Sequence, residues 1–560
     1  MSLPNLARLL LAYGLVLVVV CLAAHSMGSV SELTASESRV VVSQWREGHR
    51  IGRTVTAKGV RPAPPTTSEA GVTTVNESVV GEAPLLLDRW AIMFGLVPGR
   101  DGIVAELGDK TAWLTVDDLL AAEAYDHATQ FLDSSLGMGT HYALVVHLLA
   151  TELGVTPAEV EANARIKRVR FERTVVGETA ERRVTGATLD ADTVKTGVRE
   201  AALYLARSID DDGRYRYLVD AITNVPLGGY SWPRHAGATY FLAQAAAVLD
   251  DPVIRFACLR AAARMRDDML KDCGTHKCIT DDAEADVGSS ALAVVAFSEI
   301  VRTGADASYR PTIIQLTSFL RSQQRPDGEL MHLFDRNTGK PIDIQLLYFT
   351  GEVALALSRA HRITNDPEDL RAASGALARL AGDGWGFFGS RYYFSEEHWT
   401  CQAVEDLWER APDPKALAFC LRWHEYQRRL QHADGDSAFD ADGSFGFGPF
   451  VTPRVTPASS RGEAAGAALA VMKRDAAAGA ESADEHAETV ALLDDELRRA
   501  IAFVLRAQLR PGPRHLFARP DEVRGAMPGS AVDLQLRIDY VQHAGSMMIR
   551  WLELDAKTAR

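Results

Sequence analysis

Between residues 191 and 554 the chain repeats one hydrophobic pattern six times: a one-sided amphipathic stretch, a long polar connection, then a stretch that is apolar nearly all round. In the first repeat Val194, Val198, Ala201 and Leu205 recur at i, i+4, i+7 and i+11, with Lys195, Arg199 and Glu200 between them. That spacing predicts a helix with one buried face. Further helices of this kind are predicted near 252–271, 311–324, 367–380, 414–430 and 486–508. Asp251-Pro252, Asp366-Pro367 and Asp413-Pro414 mark three of their starts, with Asp as cap and Pro in the first turn. The partner stretches, 236–249, 290–301 and 351–360 among them, have no polar face and predict helices buried on every side. Six half-exposed helices alternating with six buried ones predict two concentric layers. The fold expected for 186–560 is a mainly α, (α/α)6 double-layer toroid.

Loop lengths distinguish the two ends of such a ring. Inner-to-outer links are short, as at Asp250-Asp251 or Ala411-Pro412-Asp413, whereas outer-to-inner links run from about 14 to over 30 residues. Long ordered loops generally carry function, and all of these lie where the inner helices begin. Those starts read Arg234-His235-Ala236-Gly237, Val287-Gly288-Ser289-Ser290, Thr350-Gly351-Glu352, Glu397-His398-Trp399, Arg461-Gly462-Glu463 and Gln542-His543-Ala544-Gly545. Several long links also carry Asp-Gly followed by a large apolar residue, as in Asp212-Gly213-Arg214-Tyr215, Asp327-Gly328-Glu329-Leu330, Asp383-Gly384-Trp385 and Asp442-Gly443-Ser444-Phe445. These predict turns pinned to the ring.

Ahead of the repeats, residues 1–24 hold Arg8 and then an apolar run softened only by Tyr13 and Gly14. With Glu32 and Glu37 following, this predicts a signal peptide or short signal-anchor, and an extracytoplasmic location for the rest, periplasmic or secreted. Residues 25–80, rich in Ser, Thr, Val, Gly and Pro and containing Pro62-Ala63-Pro64-Pro65, read as a flexible linker. Residues 81–185 predict a small α+β domain. Its parts are a hairpin over 103–107 and 111–114, helices capped by Thr115 and Thr156, and a strand in which Val169, Phe171 and Val175 face inward. The basic run at Arg165, Arg168, Arg170 and Arg173 is expected on that strand's solvated face.

Composition narrows the class. A hydrophobic content of 47% with 24% charge is that of an ordinary globular protein, and a net charge of -14 argues against nucleic acid as partner. Of six cysteines, Cys273 and Cys278 in Cys-Gly-Thr-His-Lys-Cys predict a local disulfide, with metal binding through His276 the alternative. Cys258, Cys401 and Cys420 fall on predicted helices as buried, inert thiols.

The alternating helices with Gln323-Gln324-Arg325-Pro326-Asp327-Gly328 resemble the repeats of terpenoid cyclase and prenyltransferase toroids. The overall plan resembles the six-hairpin toroids of glycan hydrolases, lyases and sugar epimerases. The Asp-rich acid motif of class II terpene cyclases and the zinc set of lanthionine cyclases are missing, so the resemblance implies an architecture and transfers no residue.

The candidate catalytic residues are His235, Glu352, His398, Glu463 and His543, all at or beside predicted inner-helix starts. Glu352 and Glu463 offer the two carboxylates of glycoside hydrolysis. A His is suited to abstract a proton beside a uronate carboxylate, with Tyr230 or Tyr240 as the acid. Set against this, a Glu can simply complement its helix N-terminus and a His can be a hydrogen-bonded structural residue. Arg234, Arg461 and Arg537 present forks for anionic substrate groups, with Arg391 and Arg454 in the loops. Trp232, Trp399, Trp385, Tyr392 and Tyr393 offer faces for sugar rings, and Asp539 is placed to orient His543. No ligand pair at i, i+4 marks a metal site, and no cofactor is expected. The pattern points to an exported or membrane-tethered toroid acting on an acidic or neutral extracytoplasmic glycan, as hydrolase, lyase or epimerase. The alternatives are a non-catalytic scaffold of a surface-polymer or secretion assembly, and a metal-dependent or peptide-modifying cyclase.

Overall fold

The computed structural model describes residues 30–62, 70–125, 139–177, 183–382, 398–434, 440–446, 452–477, 483–510 and 514–558. The expected signal or anchor, residues 1–24, lies outside them, and among the described residues no single helix is long and apolar enough to cross a membrane.

The N-terminal domain is larger than its sequence suggests. Seven antiparallel strands form one sheet: β1 (Ser31–Glu32), β2 (Val40–Arg46), β3 (His49–Val55), β4 (Thr73–Leu85), β5 (Asp101–Leu107), β6 (Lys110–Leu114) and β7 (Arg165–Val175). Their order is β3-β2-β4-β7-β5-β6, with β1 paired to β4. The linker expected over 25–80 is therefore corrected, since β2, β3 and the first part of β4 lie within it. Glu47 and Gly48, both at positive φ, join β2 to β3 as a two-residue hairpin turn. Four helices accompany the sheet: α1 (Arg89–Gly95), α2 (Val116–Ala121), α3 (Tyr142–Leu153) and α4 (Pro157–Asn163). Thr115 with Asp118, and Thr156 with Glu159, form reciprocal capping boxes on α2 and α4. The solvated basic face expected on β7 is also corrected in part. Arg168 is buried, donating to the Gly95 carbonyl and lying 3.6 Å from Asp101, while Arg170 pairs with Asp101 at 2.9 Å.

The toroid follows the predicted alternation. Outer helices are α5 (Ala191–Arg207), α7 (Pro252–Asp268), α9 (Arg310–Ser322), α11 (Pro367–Ala381), α13 (Pro414–Arg428) and α15 (Ala483–Ala507). Inner helices are α6 (Trp232–Leu249), α8 (Val287–Arg302), α10 (Phe349–Thr364), α12 (His398–Leu407), α14 (Val455–Ala477) and α16 (Ile538–Thr558). Each inner helix packs on the next, and α16 packs on α6, so the ring closes. Closure depends on Gly545, where a Cβ would lie 2.2 Å from the Phe241 ring. The short links are efficient: Asn365 ends α10 in the left-handed region, and Asp366 caps α11.

The Asp-Gly turns are structural staples of the outer layer. Gly328 adopts φ +87, and a Cβ there would stand 2.3 Å from the Gly375 carbonyl oxygen on the next outer helix. Tyr215, Leu330 and Phe445, the large residues after three of these turns, are all buried. The fourth turn, at Asp383-Gly384-Trp385, lies outside the described residues.

Cys273 and Cys278 are joined across the hairpin of strands Leu270–Cys273 and His276–Ile279. Cys401 and Cys420 are not free thiols: they form a second disulfide, tying inner α12 to outer α13. Cys258 alone is free and buried among the described residues.

The N-terminal domain docks on the long-loop side of the ring. His515, in the link before α16, is buried against it, with its ring edge on Trp45 at 5.6 Å and its Nε2 2.7 Å from Asp117.

Candidate active site at the inner mouth

A cavity of about 350 Å³ opens among the inner-helix starts. His398, the first residue of α12, and His543, in the second turn of α16, face each other edge-on across it, with ring centroids 5.1 Å apart. Behind His543 stands Glu463, whose Oε2 is 2.7 Å from Nδ1. A carboxylate only accepts, so Nδ1 carries the proton and Nε2 is left as the basic nitrogen. The helix holding Glu463 begins at Val455, eight residues earlier than the predicted start at Glu463 implies. Glu463 therefore lies about 12 Å down the helix axis and fully buried, where it reaches the imidazole from below.

The walls carry further polar and aromatic side chains. Glu352, in the first turn of α10, lines the cavity, and Gly288 on α8 makes room for it, since a Cβ there would be 2.6 Å from Oε2. Trp399 is packed against both imidazoles, at 4.4 Å from His398 and 5.6 Å from His543. Arg537 donates two hydrogen bonds to Asp539, at 2.6 and 2.9 Å, while Arg234 lies 3.3 Å from Asp539 and donates to the Tyr217 hydroxyl at 2.7 Å. Burial works against the Arg537 charge, and Asp539 more than restores it. Two guanidinium groups thus share one carboxylate at the rim, leaving donors for an anionic or hydroxyl-rich ligand.

Neither a family model nor a curated protein matches the sequence. Solved structures do resemble the chain. D-mannose isomerase aligns with a TM-score of 0.48 and 11% identity, covering 65% of this chain and 98% of its own. Cellobiose 2-epimerase from Bacillus thermoamylovorans B4167 gives 0.47 and 12%, covering 65% and 99%. Unsaturated glucuronyl hydrolase from Bacillus sp. GL1 gives 0.45 and 14%, covering 64% and 96%.

Several sequence candidates do not reach the cavity. His235 is fully buried in the outer contact of α6: its Nε2–H donates to the Ala261 carbonyl at 3.0 Å, and its Nδ1 accepts from the Tyr230 hydroxyl at 2.6 Å. Burial pushes its pKa down to about 4, so it is a neutral structural residue. Tyr230 is consumed by that contact, and Tyr240 is buried under Arg359 on the far side. Trp232 packs on Tyr230 and His235. Arg461 points away from the axis, donating to Gln427 on α13 and lying over Phe445. Arg454 pairs with Asp533. Asp539 does not orient His543, since it binds Arg537 and Arg234 while Glu463 takes the orienting role. Trp385, Arg391, Tyr392, Tyr393 and Glu397 lie outside the described residues.

One lining residue escaped the sequence reading. Tyr348 adopts φ 74 and ψ -40, a tight turn closed by the Phe349 N–H donating to the Leu347 carbonyl at 3.0 Å. This left-handed conformation is costly for a bulky residue, and such strain gathers at functional sites. It holds the half-exposed ring at the cavity rim, 6.4 Å from His398. Without a glycine there, the sequence carries no signal of the turn.

His398, Glu463 and His543 also place one ligand atom each within 4.8 Å of one another. Two imidazoles and a carboxylate suit zinc or a similar divalent ion, although the atoms must draw closer to share one. The same trio therefore fits either proton transfer or metal binding.

Proposed function

We propose that the chain is an extracytoplasmic enzyme that acts on a glycan by moving a proton at a sugar carbon, beside a carbonyl or carboxylate. The observation that supports this is the buried Glu463–His543 pair facing His398. His543 Nε2 takes the C–H proton while the electron pair moves toward the adjacent oxygen, and Glu463 stabilises the imidazolium that forms. His398, on the other side, supplies a proton to the intermediate or to the leaving oxygen. Arg234 and Arg537 hold the substrate's anionic or hydroxyl groups, and Trp399 with Tyr348 give the sugar ring a face. Proton return makes an epimerase; loss of a neighbouring oxygen substituent makes a lyase. Glycoside hydrolysis is less well supported, because Glu463 is engaged with His543 and Asp539 with Arg537, so neither faces Glu352 as a catalytic pair. An open cavity also speaks against a purely scaffolding toroid.

Proton NMR in D2O on a panel of reducing sugars and uronate oligosaccharides tests the proposal. Solvent deuterium at one sugar carbon, or a new C=C signal, is expected, and His543→Asn or His398→Asn abolishes it. Glycosidic cleavage unaffected by both substitutions would overturn it.

The convergence of the trio favours one second reading, a divalent metal held by His398, Glu463 and His543. Stoichiometric metal in the purified protein, lost with His398→Ala, supports it. Exported location is supported by two disulfides among the described residues and by the apolar run in 1–24. A phosphatase reporter fused after residue 30 is active only if that run exports the chain.

A further inference from the structure

The toroid axis has a second mouth, where the inner helices end. It holds a cavity of about 670 Å³, against about 350 Å³ at the inner mouth. All six inner helices line it, through Gln244, Ser298, Arg359, Glu405, Arg474 and Arg550 in turn. Six guanidinium groups, of Arg302, Arg359, Arg362, Arg410, Arg474 and Arg550, meet four carboxylates there, of Glu299, Glu405, Asp406 and Glu553.

Most of these charges are paired. Arg302 binds Glu299, Arg359 and Arg362 share Asp406, and Arg550 and Arg474 share Glu405, with Glu409 3.8 Å from Arg474. Helix C-termini attract cations, which accounts for arginine at this end of the ring. It does not account for donors left over around an open volume. Arg410 has no carboxylate within ion-pair distance among the described residues. Arg359 Nη1 is buried without a hydrogen-bond partner, and so is the Oγ of Ser298, a residue only 2% exposed. Buried donors without acceptors are costly, and guanidinium forks with a hydroxyl are the donor set for an oxyanion.

We propose that this cavity binds a small oxyanion through its carboxylate or phosphate groups, at a site separate from the inner mouth. The volume admits a ligand well beyond a single inorganic ion, and the shared pairs around Glu405 and Asp406 hold the forks in place.

Isothermal titration of the full chain at constant ionic strength is the test. The probes are inorganic phosphate, citrate and galacturonate, with galactose as neutral control. One of the anions is expected to bind once per chain, and the phosphate and carboxylate arms identify the group recognised. Arg410→Gln removes an exposed guanidinium with no ion pair, so it leaves folding intact, and it should weaken binding about tenfold. Ser298→Ala should weaken it less, and His543→Asn should leave it unchanged. Absence of binding by every anion overturns the proposal, as does binding that survives Arg410→Gln but is lost with His543→Asn.

Discussion

At the scale of single residues, burial decides which histidines can act. His235 and His332 are both buried and both pushed down to about 4. A lowered histidine contributes stability that is present above the unfolded value near 6.5 and is lost as pH falls through 4. Each shift corresponds to roughly 3 kcal/mol, so denaturant midpoints should drop steeply between pH 6.5 and 4. His235→Gln should flatten part of that slope. For His543 the decisive neighbour is Glu463, at 2.7 Å. Glu463→Gln should lower kcat by about 10²–10⁴-fold with little change in KM or melting temperature, if Glu463 holds the tautomer and stabilises the cation. A matching fall in melting temperature would instead mark it as a structural partner. Sequence spacing found His543 and Glu463 but not that they touch. Their contact joins the second turn of one helix to the third turn of another.

At the scale of elements, the helices and their boundaries were legible because local rules govern them. Asp251, Asp366 and Asp413 each accept a backbone N–H at a helix start, as their sequences predict. The disulfide between Cys401 and Cys420 was not legible, because two helical cysteines separated by 19 residues acquire a shared position only when α12 packs on α13. It anchors the helix that begins with His398. Cys401→Ala with Cys420→Ala should cost about 2–4 kcal/mol, read as a lower denaturant midpoint under oxidising conditions. Under full reduction the variant and the parent should differ far less.

For the whole molecule, the docking of the N-terminal domain rests on a buried polar cluster. Glu77 is pushed up to about 8 by burial and by the charge of Asp117 beside it. Asp117 is kept ionised against burial by Arg173 and His515. A carboxyl group raised this way contributes stability that is full below its unfolded value near 4.5 and is lost as pH rises through about 8. The docked domain should therefore become more susceptible to proteolysis as pH rises from about 4.5 to about 8, with no further change from this group above that, and Glu77→Gln should remove that dependence. Hydrogen exchange in β4 and at His515 reads the same event.

The sequence by itself determined the twelve helices of the ring's two layers, their alternation, the end of the ring that carries the long loops, and the hairpin that became β5 and β6. All of these follow from nearest-neighbour spacing, capping chemistry and loop length. Only the tertiary structure decided which side of each inner helix faces the axis. An inner helix is apolar all round because it is buried from both sides, so its pattern carries no azimuth. His235 and Arg461 turned outward for that reason, while His398, His543 and Glu352 turned toward one cavity. The same lack of direction hid the arginine-lined mouth at the opposite end, which exists only because six helix ends converge.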